Sequence, residues 1–171
     1  MKFLSIKQKS PYSGKRVYYK WIPSKNCSKF KPITQVYGVC FTKEGKILIV
    51  KDLRDWKLPG GTPEKNEIPE ETLKREVFEE ANVIFGDCHM IGVQEVEIEG
   101  KKIYQLRYVA VIDEVKKQTV DPATRRTMKR KFIKISEFKK YVKWGRIGEK
   151  ILLAARKEYE NWKEKDGKQN K

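Results

Sequence analysis

Residues Gly61 to Val83 read GTPEKNEIPEETLKREVFEEANV, and this stretch sets the problem the rest of the chain must solve. Pro69 suits the first turn of a helix, where its missing N–H costs nothing. Glu70 and Glu71 follow at the positive end of the helix dipole, which favours them. Leu73, Val77 and Ala81 recur at i, i+4 and i+8, so one stripe is apolar and faces a core. The spacing predicts a helix over residues 69–81. Asn82 then fits the left-handed position that ends many helices, a geometry Asn tolerates.

The last turn of that helix is uncomfortable. Glu76, Glu79 and Glu80 lie at i, i+3 and i+4, within about 100° of the circumference. Like charges at this spacing cost roughly a few tenths of a kcal/mol each, and the negative end of the dipole adds a similar penalty. A hard divalent cation among the carboxylates would remove both, since Mg²⁺ prefers oxygen ligands and substrate phosphates. Arg75 is placed to hold the Glu79 carboxylate in a fixed orientation. The plain alternative is a solvated acidic face. Upstream, Trp56-Lys57-Leu58-Pro59-Gly60-Gly61 ends in a turn that lets backbone approach a ligand closely, although such a tripeptide is more often only a turn.

Gly61, Glu67, Arg75, Glu76, Glu79 and Glu80, with Val77 and Val83, resemble the Nudix box, G-x5-E-x7-R-E-U-x-E-E-x-G-U with U apolar. Asn82 stands where the family has Gly. Such a match arises by chance on the order of 10⁻⁵ or less per chain of this length. The resemblance implies an α/β fold, a Nudix-type α/β/α sandwich with a central mixed sheet, covering about residues 35–162. It implies hydrolysis of the pyrophosphate bond in a nucleoside diphosphate linked to a further group. It also implies Mg²⁺, or Mn²⁺, held by Glu79, Glu80 and the Gly60 carbonyl. Glu76 would ligate the metal or take the proton of the attacking water, Glu67 would support the metal shell, and Arg75 would orient the carboxylates. Family members often add an acid from a later loop, and Asp121 is the candidate. Arg125 and Arg126, beside Lys129 and Arg130, are placed to meet phosphates. No Pro occurs between Val83 and Val120, where an ADP-ribose subgroup carries one. Tyr104 is a candidate substrate contact, a few residues beyond the Tyr of the dinucleoside polyphosphate subgroup.

Length and composition bound the rest. With 171 residues and 39% hydrophobics, one domain with a real core is expected over residues 1–171. No apolar run reaches the length of a membrane span, and Met1 to Lys7 is too short and polar for a signal peptide. Cys27, Cys40 and Cys88 are odd in number and form no metal pattern, so a reduced, cytoplasmic protein is expected. Residues 1–34 hold nine basic and no acidic residues, net +9. Residues 35–114 hold eleven basic and sixteen acidic, net −5, and residues 115–171 hold nineteen and seven, net +12. Basic flanks around an acidic centre draw in polyanions: nucleoside triphosphates, dinucleoside polyphosphates or an RNA 5′ end. They equally serve solubility. A Nudix-fold module that binds RNA or a protein without catalysis is the competing reading, and a dimer is compatible with either. An isomerase acting on diphosphate lipids is a weaker third, because no Cys–Glu pairing commends it.

Along the chain, residues 1–34 form a basic N-terminal extension in which Phe3, Tyr12, Tyr18, Tyr19, Trp21 and Phe30 are interleaved with Lys. These aromatics either stack bases or cover a core edge, the latter being favoured. Strands are expected at 16–22, 35–42, 47–51, 89–99, 102–114 and 131–135. The alternation of Tyr104, Leu106, Tyr108, Ala110 and Ile112 with Gln105 and Arg107 reads as a half-buried strand. His89 reads as structural. Ser136 is expected to cap a short helix through Val142. Ile147, Ile151, Ala155, Tyr159 and Trp162 then mark a long amphipathic helix. Residues 163–171 are a charged tail expected to fray.

Overall fold

The computed structural model describes residues 4–9, 14–53, 55–122 and 125–169; Phe3, Tyr12 and Ser13 lie outside them. The strands are β1 (Ser5–Lys9), β2 (Arg16–Pro23), β3 (Ile33–Phe41), β4 (Ile47–Lys51), β5 (Trp56–Lys57), β6 (Gly60–Gly61), β7 (Val83–Ile98), β8 (Lys101–Val115) and β9 (Lys129–Ile133). The helices are α1 (Pro69–Ala81), α2 (Phe138–Tyr141) and α3 (Gly145–Gln169). One sheet runs β1-β2-β7-β8-β3-β4-β5, with β6 paired to β3 and β9 to β4. β3 and β8 are parallel and the other pairs are antiparallel, so the sheet is mixed.

Helices cover both faces, which gives the α/β/α sandwich two cores. Leu73, Val77 and Ala81 of α1 pack on Val36, Cys40, Leu48, Val93, Leu106 and Ala110. Ile147, Ile151, Ala155 and Tyr159 of α3 pack on Val39, Phe41, Ile49, Val109 and Val111 of the opposite face. There the rings of Phe41 and Tyr159 stack with centroids 4.3 Å apart. The N-terminal aromatics divide. Trp21 and Phe30 are buried, whereas Tyr18 is 39% exposed beneath the Lys7 ammonium.

Four readings need correction. β8 is not half-buried: it lies between β7 and β3 at the centre of the sheet, and all of Leu106 to Ile112 is buried. Its alternation separates two cores, not core from water. β7 begins at Val83 instead of 89, because irregular register between Phe85 and Cys88 absorbs Gly86-Asp87 as a bulge and the strand continues through it. Ser136 caps nothing; it sits inside a 3-10 turn (Ile135–Glu137), and the Glu137 carboxylate accepts from the Lys134 N–H at 3.0 Å. Residues 163–169 continue α3, in keeping with the good helix propensity of Lys and Glu.

α1 starts and ends as its residues dictate. Pro69 occupies the first turn, and Glu71 accepts from the Ile68 N–H at 3.2 Å. Asn82 has φ 50° and ψ 46°, the left-handed conformation. Its carboxamide also accepts from the Thr119 N–H at 2.7 Å and donates to the Thr119 hydroxyl at 2.9 Å, which ties the end of α1 to the segment after β8. Glycine would relax the backbone but lose both ties. Asn82→Gly is therefore expected to lower stability by about 1 kcal/mol, a drop of roughly 2–4 °C in Tm for a chain of this size. An unchanged or higher Tm in a calorimetric scan would show that the Thr119 ties contribute nothing.

No helix among the described residues is long and apolar enough to cross a membrane.

Candidate functional site

The site lies where β3 parts from β4. The two strands pair at Phe41 and Ile47 only, so the first half of β3 is left to the two-residue strand β6. Gly60 sits opposite Tyr37 and Gly61 opposite Val36, with the last turns of α1 beside them.

Arg75 gathers three of the predicted carboxylates. Its Nε and Nη2 grip Glu67 in a bidentate pair at 2.9 and 3.0 Å. Nη1 reaches Glu76 at 2.9 Å and Glu79 at 3.3 Å, and Nη2 also donates to the Thr62 carbonyl at 3.1 Å. The planar guanidinium thus fixes acids from the loop and from one face of α1. Glu67 is held further by the Thr72 hydroxyl at 2.8 Å and the Glu64 N–H at 2.9 Å. The Arg75 guanidinium, with these donors, holds the Glu67 carboxyl down at about 2. Glu67 is therefore a committed anion that anchors Arg75.

Glu80 is the most buried of the box glutamates, at 6% exposure. Oε2 accepts from the Gly60 N–H at 2.9 Å, and Oε1 lies 2.5 Å from the Lys57 ammonium. Lys57 Nζ is also 3.4 Å from the Gly60 carbonyl oxygen. Burial pushes the Glu80 carboxyl up from its ordinary value, against the pull of Lys57 and the Gly60 N–H. Burial acts to lower Lys57, but Glu80 outweighs it, and the ammonium is held above its usual value. The Glu79 carboxyl is also raised: burial leads, with Glu76 and Asp121 adding to it against Arg75.

Lys57 is the member of this cluster that sequence reasoning missed. It lies 23 positions before Glu80, and no spacing rule links a loop lysine to a helix carboxylate. A cation resting between the Gly60 carbonyl and the Glu80 carboxylate shows that this oxygen set accepts positive charge.

Glu76 comes close to the glycine loop. A methyl group on Gly61 would fall 2.4 Å from its carboxylate, so the absent side chain there makes room for that group. Asp121 is 3% exposed and near enough to Glu79 to act on its charge, so the structure brings it to the cluster. Its backbone N–H donates to the Arg126 carbonyl at 2.9 Å and closes a small turn. Arg125 and Arg126 are exposed on that turn, Arg125 at φ 54°. Tyr104 packs at a tilt on Phe30, with ring centroids 5.3 Å apart, and among the described contacts none joins it to the box carboxylates. His89 pairs with Glu158 on α3 at 2.8 Å. Among the described residues no three acidic, His or Cys side chains already form a closed metal cage. The donor set nonetheless fits a hard divalent ion: the carboxylates of Glu76, Glu79 and Glu80 and the Gly60 carbonyl are all oxygens.

A family model for the NUDIX domain matches residues 31–154. The chain belongs to the Nudix family. A Bacillus subtilis pyrophosphohydrolase is similar at 26% identity over 67% of this chain and 70% of that one, with a TM-score of 0.52. A MutT structure from work on Aliivibrio salmonicida and Vibrio cholerae aligns at 19% identity over 74% and 98% of the two chains, with a TM-score of 0.56. An Ap4A hydrolase of C. elegans aligns at 17% identity over 72% and 96%, with a TM-score of 0.53. These last two likenesses are of fold. No curated protein matches the chain.

Proposed function

We propose that the chain hydrolyses the pyrophosphate bond of a nucleoside diphosphate linked to a further group, with Mg²⁺ or Mn²⁺ as cofactor. The observation that carries this reading is the capture of Glu67, Glu76 and Glu79 by one arginine, beside a Glu80 already seated on Gly60. A surface helix has no use for so much acid held in fixed positions.

Water attacks one phosphorus, forming a P–O bond as the bridging P–O bond breaks, and its proton passes to a carboxylate. Glu76, against the glycine loop, is the group placed to take that proton or to hold the metal. Glu79, Glu80 and the Gly60 carbonyl would hold the metal, with Asp121 as a further acid. The bound ion supplies neutralisation of phosphoryl charge and a lowered pKa for bound water. Arg75 and Glu67 act as positioning residues. The basic flanks favour a highly charged substrate: a nucleoside triphosphate, a dinucleoside polyphosphate or a 5′-triphosphate RNA. The exposed Arg125 and Arg126 are candidates for its phosphates.

The test is phosphate and pyrophosphate release from those three substrate types, with Mg²⁺ and with chelator. Metal-dependent turnover on one of them is expected. A flat panel combined with steeply salt-dependent RNA binding would replace this reading with that of a binding module.

Lys57 gives a second check that does not depend on turnover. Lys57→Met leaves the Glu80 carboxylate buried without its counter-charge, and loss of one partner of such a pair costs on the order of 1–3 kcal/mol. The variant is expected to melt lower than wild type without metal and to recover more of its Tm on adding Mg²⁺. Equal Mg²⁺-induced shifts in the two proteins would show that Lys57 and the ion do not share these oxygens.

A further inference from the structure

A cavity of about 390 Å³ opens on the α3 side of the sheet, and Tyr19, Tyr37, Gln94, Gln105, Arg107 and Trp144 line it. Its volume is in the range of small-molecule sites. Arg107 is its odd member. The residue is 1% exposed, and among the described residues no carboxylate pairs with it. Nη1 donates to the Leu106 carbonyl at 3.1 Å, and Nη2 to the Gln94 and Gln105 side-chain oxygens at 2.8 and 2.9 Å. Nε is buried without any partner. The guanidinium carbon lies 4.7 Å from the Tyr37 ring centre and 5.1 Å from that of Trp144.

A buried cation with an orphan donor is costly, and native folds rarely keep one without a use. The surroundings say what would satisfy it. Arginine only donates, so the two glutamine oxygens must face it, and their NH₂ groups are left as further donors. Lys143 at the rim adds another. The cavity therefore offers donors and aromatic faces. Its ligand should be flat, aromatic and rich in acceptors.

The position of the cavity identifies that ligand. Tyr37 lines it and is also the strand partner of Gly60. Gly60 in turn donates its N–H to Glu80, so Tyr37 ties the cavity lining to the strand on which that carboxylate is seated. We infer that the cavity is the nucleobase subsite and that Arg107 selects a keto purine, guanine over adenine. The inference rests on the reading that the carboxylates cut a nucleotide. Guanine presents O6 and N7 as adjacent acceptors, one for the unpartnered Nε–H and one for a glutamine NH₂, since both Nη2 hydrogens are already given to Gln94 and Gln105. Adenine would turn its 6-amino donor toward a wall of donors. A phosphate would suit the charge of Arg107 but has no use for Tyr37 and Trp144.

The test is metal-free calorimetric titration of the whole chain with GMP, AMP and ribose 5-phosphate, followed in parallel by tryptophan fluorescence. GMP is expected to bind roughly tenfold tighter than AMP, with ribose 5-phosphate weakest. Arg107→Met should abolish the preference for GMP. Gln105→Leu, at a half-buried position, should reduce it, and serves if Arg107→Met fails a melting check. Equal binding of GMP and AMP by wild type overturns the inference. So does ribose 5-phosphate binding as tightly as GMP, which would make the cavity a phosphate site. GTP and ATP hydrolysis with Mg²⁺ separates this from the parent reading. Turnover of both without base preference sinks the subsite and keeps the hydrolase. Base-selective binding with no turnover sinks the hydrolase and keeps the subsite.

Discussion

Glu80→Gln should lose at least about a hundredfold in kcat while the protein stays folded, because the change weakens the proposed metal site, whose charge stabilisation would be several kcal/mol. A hundredfold loss corresponds to about 2.7 kcal/mol of transition-state stabilisation. The stability side comes close to balance. Glu80 holds two donors, the Gly60 N–H and the Lys57 ammonium. A carboxamide can accept from one and must turn its NH₂ toward the other, so about one hydrogen bond is lost, on the order of 1 kcal/mol. Against this, the carboxyl is disfavoured as an anion by burial, and a neutral group in its place relieves that penalty. Lys57 retains partial exposure and can turn to water. Turnover per enzyme, measured beside a thermal melt, separates the two effects. Wild-type kcat with Mg²⁺ in a folded variant would remove Glu80 from the machinery. A collapsed melt would show instead that its role is to hold β6 against α1.

The part of the site that could be read in the sequence is the part carried by one helix. Pro69, the stripe Leu73-Val77-Ala81 and Asn82 fix where α1 begins, which face it buries and where it ends. Those three facts place Glu76, Glu79 and Glu80 without knowledge of the sheet. The hairpin of β3 and β4 was legible for a similar reason: Lys43 to Lys46 closes it locally, with the Thr42 N–H on the Lys46 carbonyl. What was not legible depends on contacts distant in sequence. Arg107 alternates with apolar neighbours and so reads as a solvent-facing residue. Period-2 patterning marks two sides of a strand but cannot say that both are covered. Only the closure of α3 over β8 makes Arg107 an interior cation. Lys57 is hidden in the same way, since its meaning comes from a partner on α1. β5 and β6, two residues each, lie below the length at which any pattern exists.

Gly60→Ala should be the most damaging single methyl in the chain. Gly60 has φ +140°, a region that side chains rarely adopt, and strain of that kind costs about 1–3 kcal/mol. The added carbon would also lie 2.1 Å from the Val36 carbonyl oxygen and 2.7 Å from the Tyr37 Cα. Both are backbone of β3, which is pinned along β8 from Gln35 to Phe41 and cannot yield. Overpacking against a fixed wall adds roughly 1–3 kcal/mol. The total is a large share of the roughly 5–15 kcal/mol that holds a typical domain together. Gly61→Ala is the informative partner. Its methyl meets the Glu76 carboxylate, the far end of a flexible side chain, and not backbone. That carboxylate can move aside, so stability should change little while kcat falls, since Glu76 leaves the glycine loop. The expected pair of results is a Tm at least about 5 °C below wild type for Gly60→Ala and a near-native Tm with reduced turnover for Gly61→Ala. If Gly60→Ala melted with wild type, β6 could not lie against β3 as closely as Glu80 requires, and the seat of that carboxylate on Gly60 would have to be abandoned.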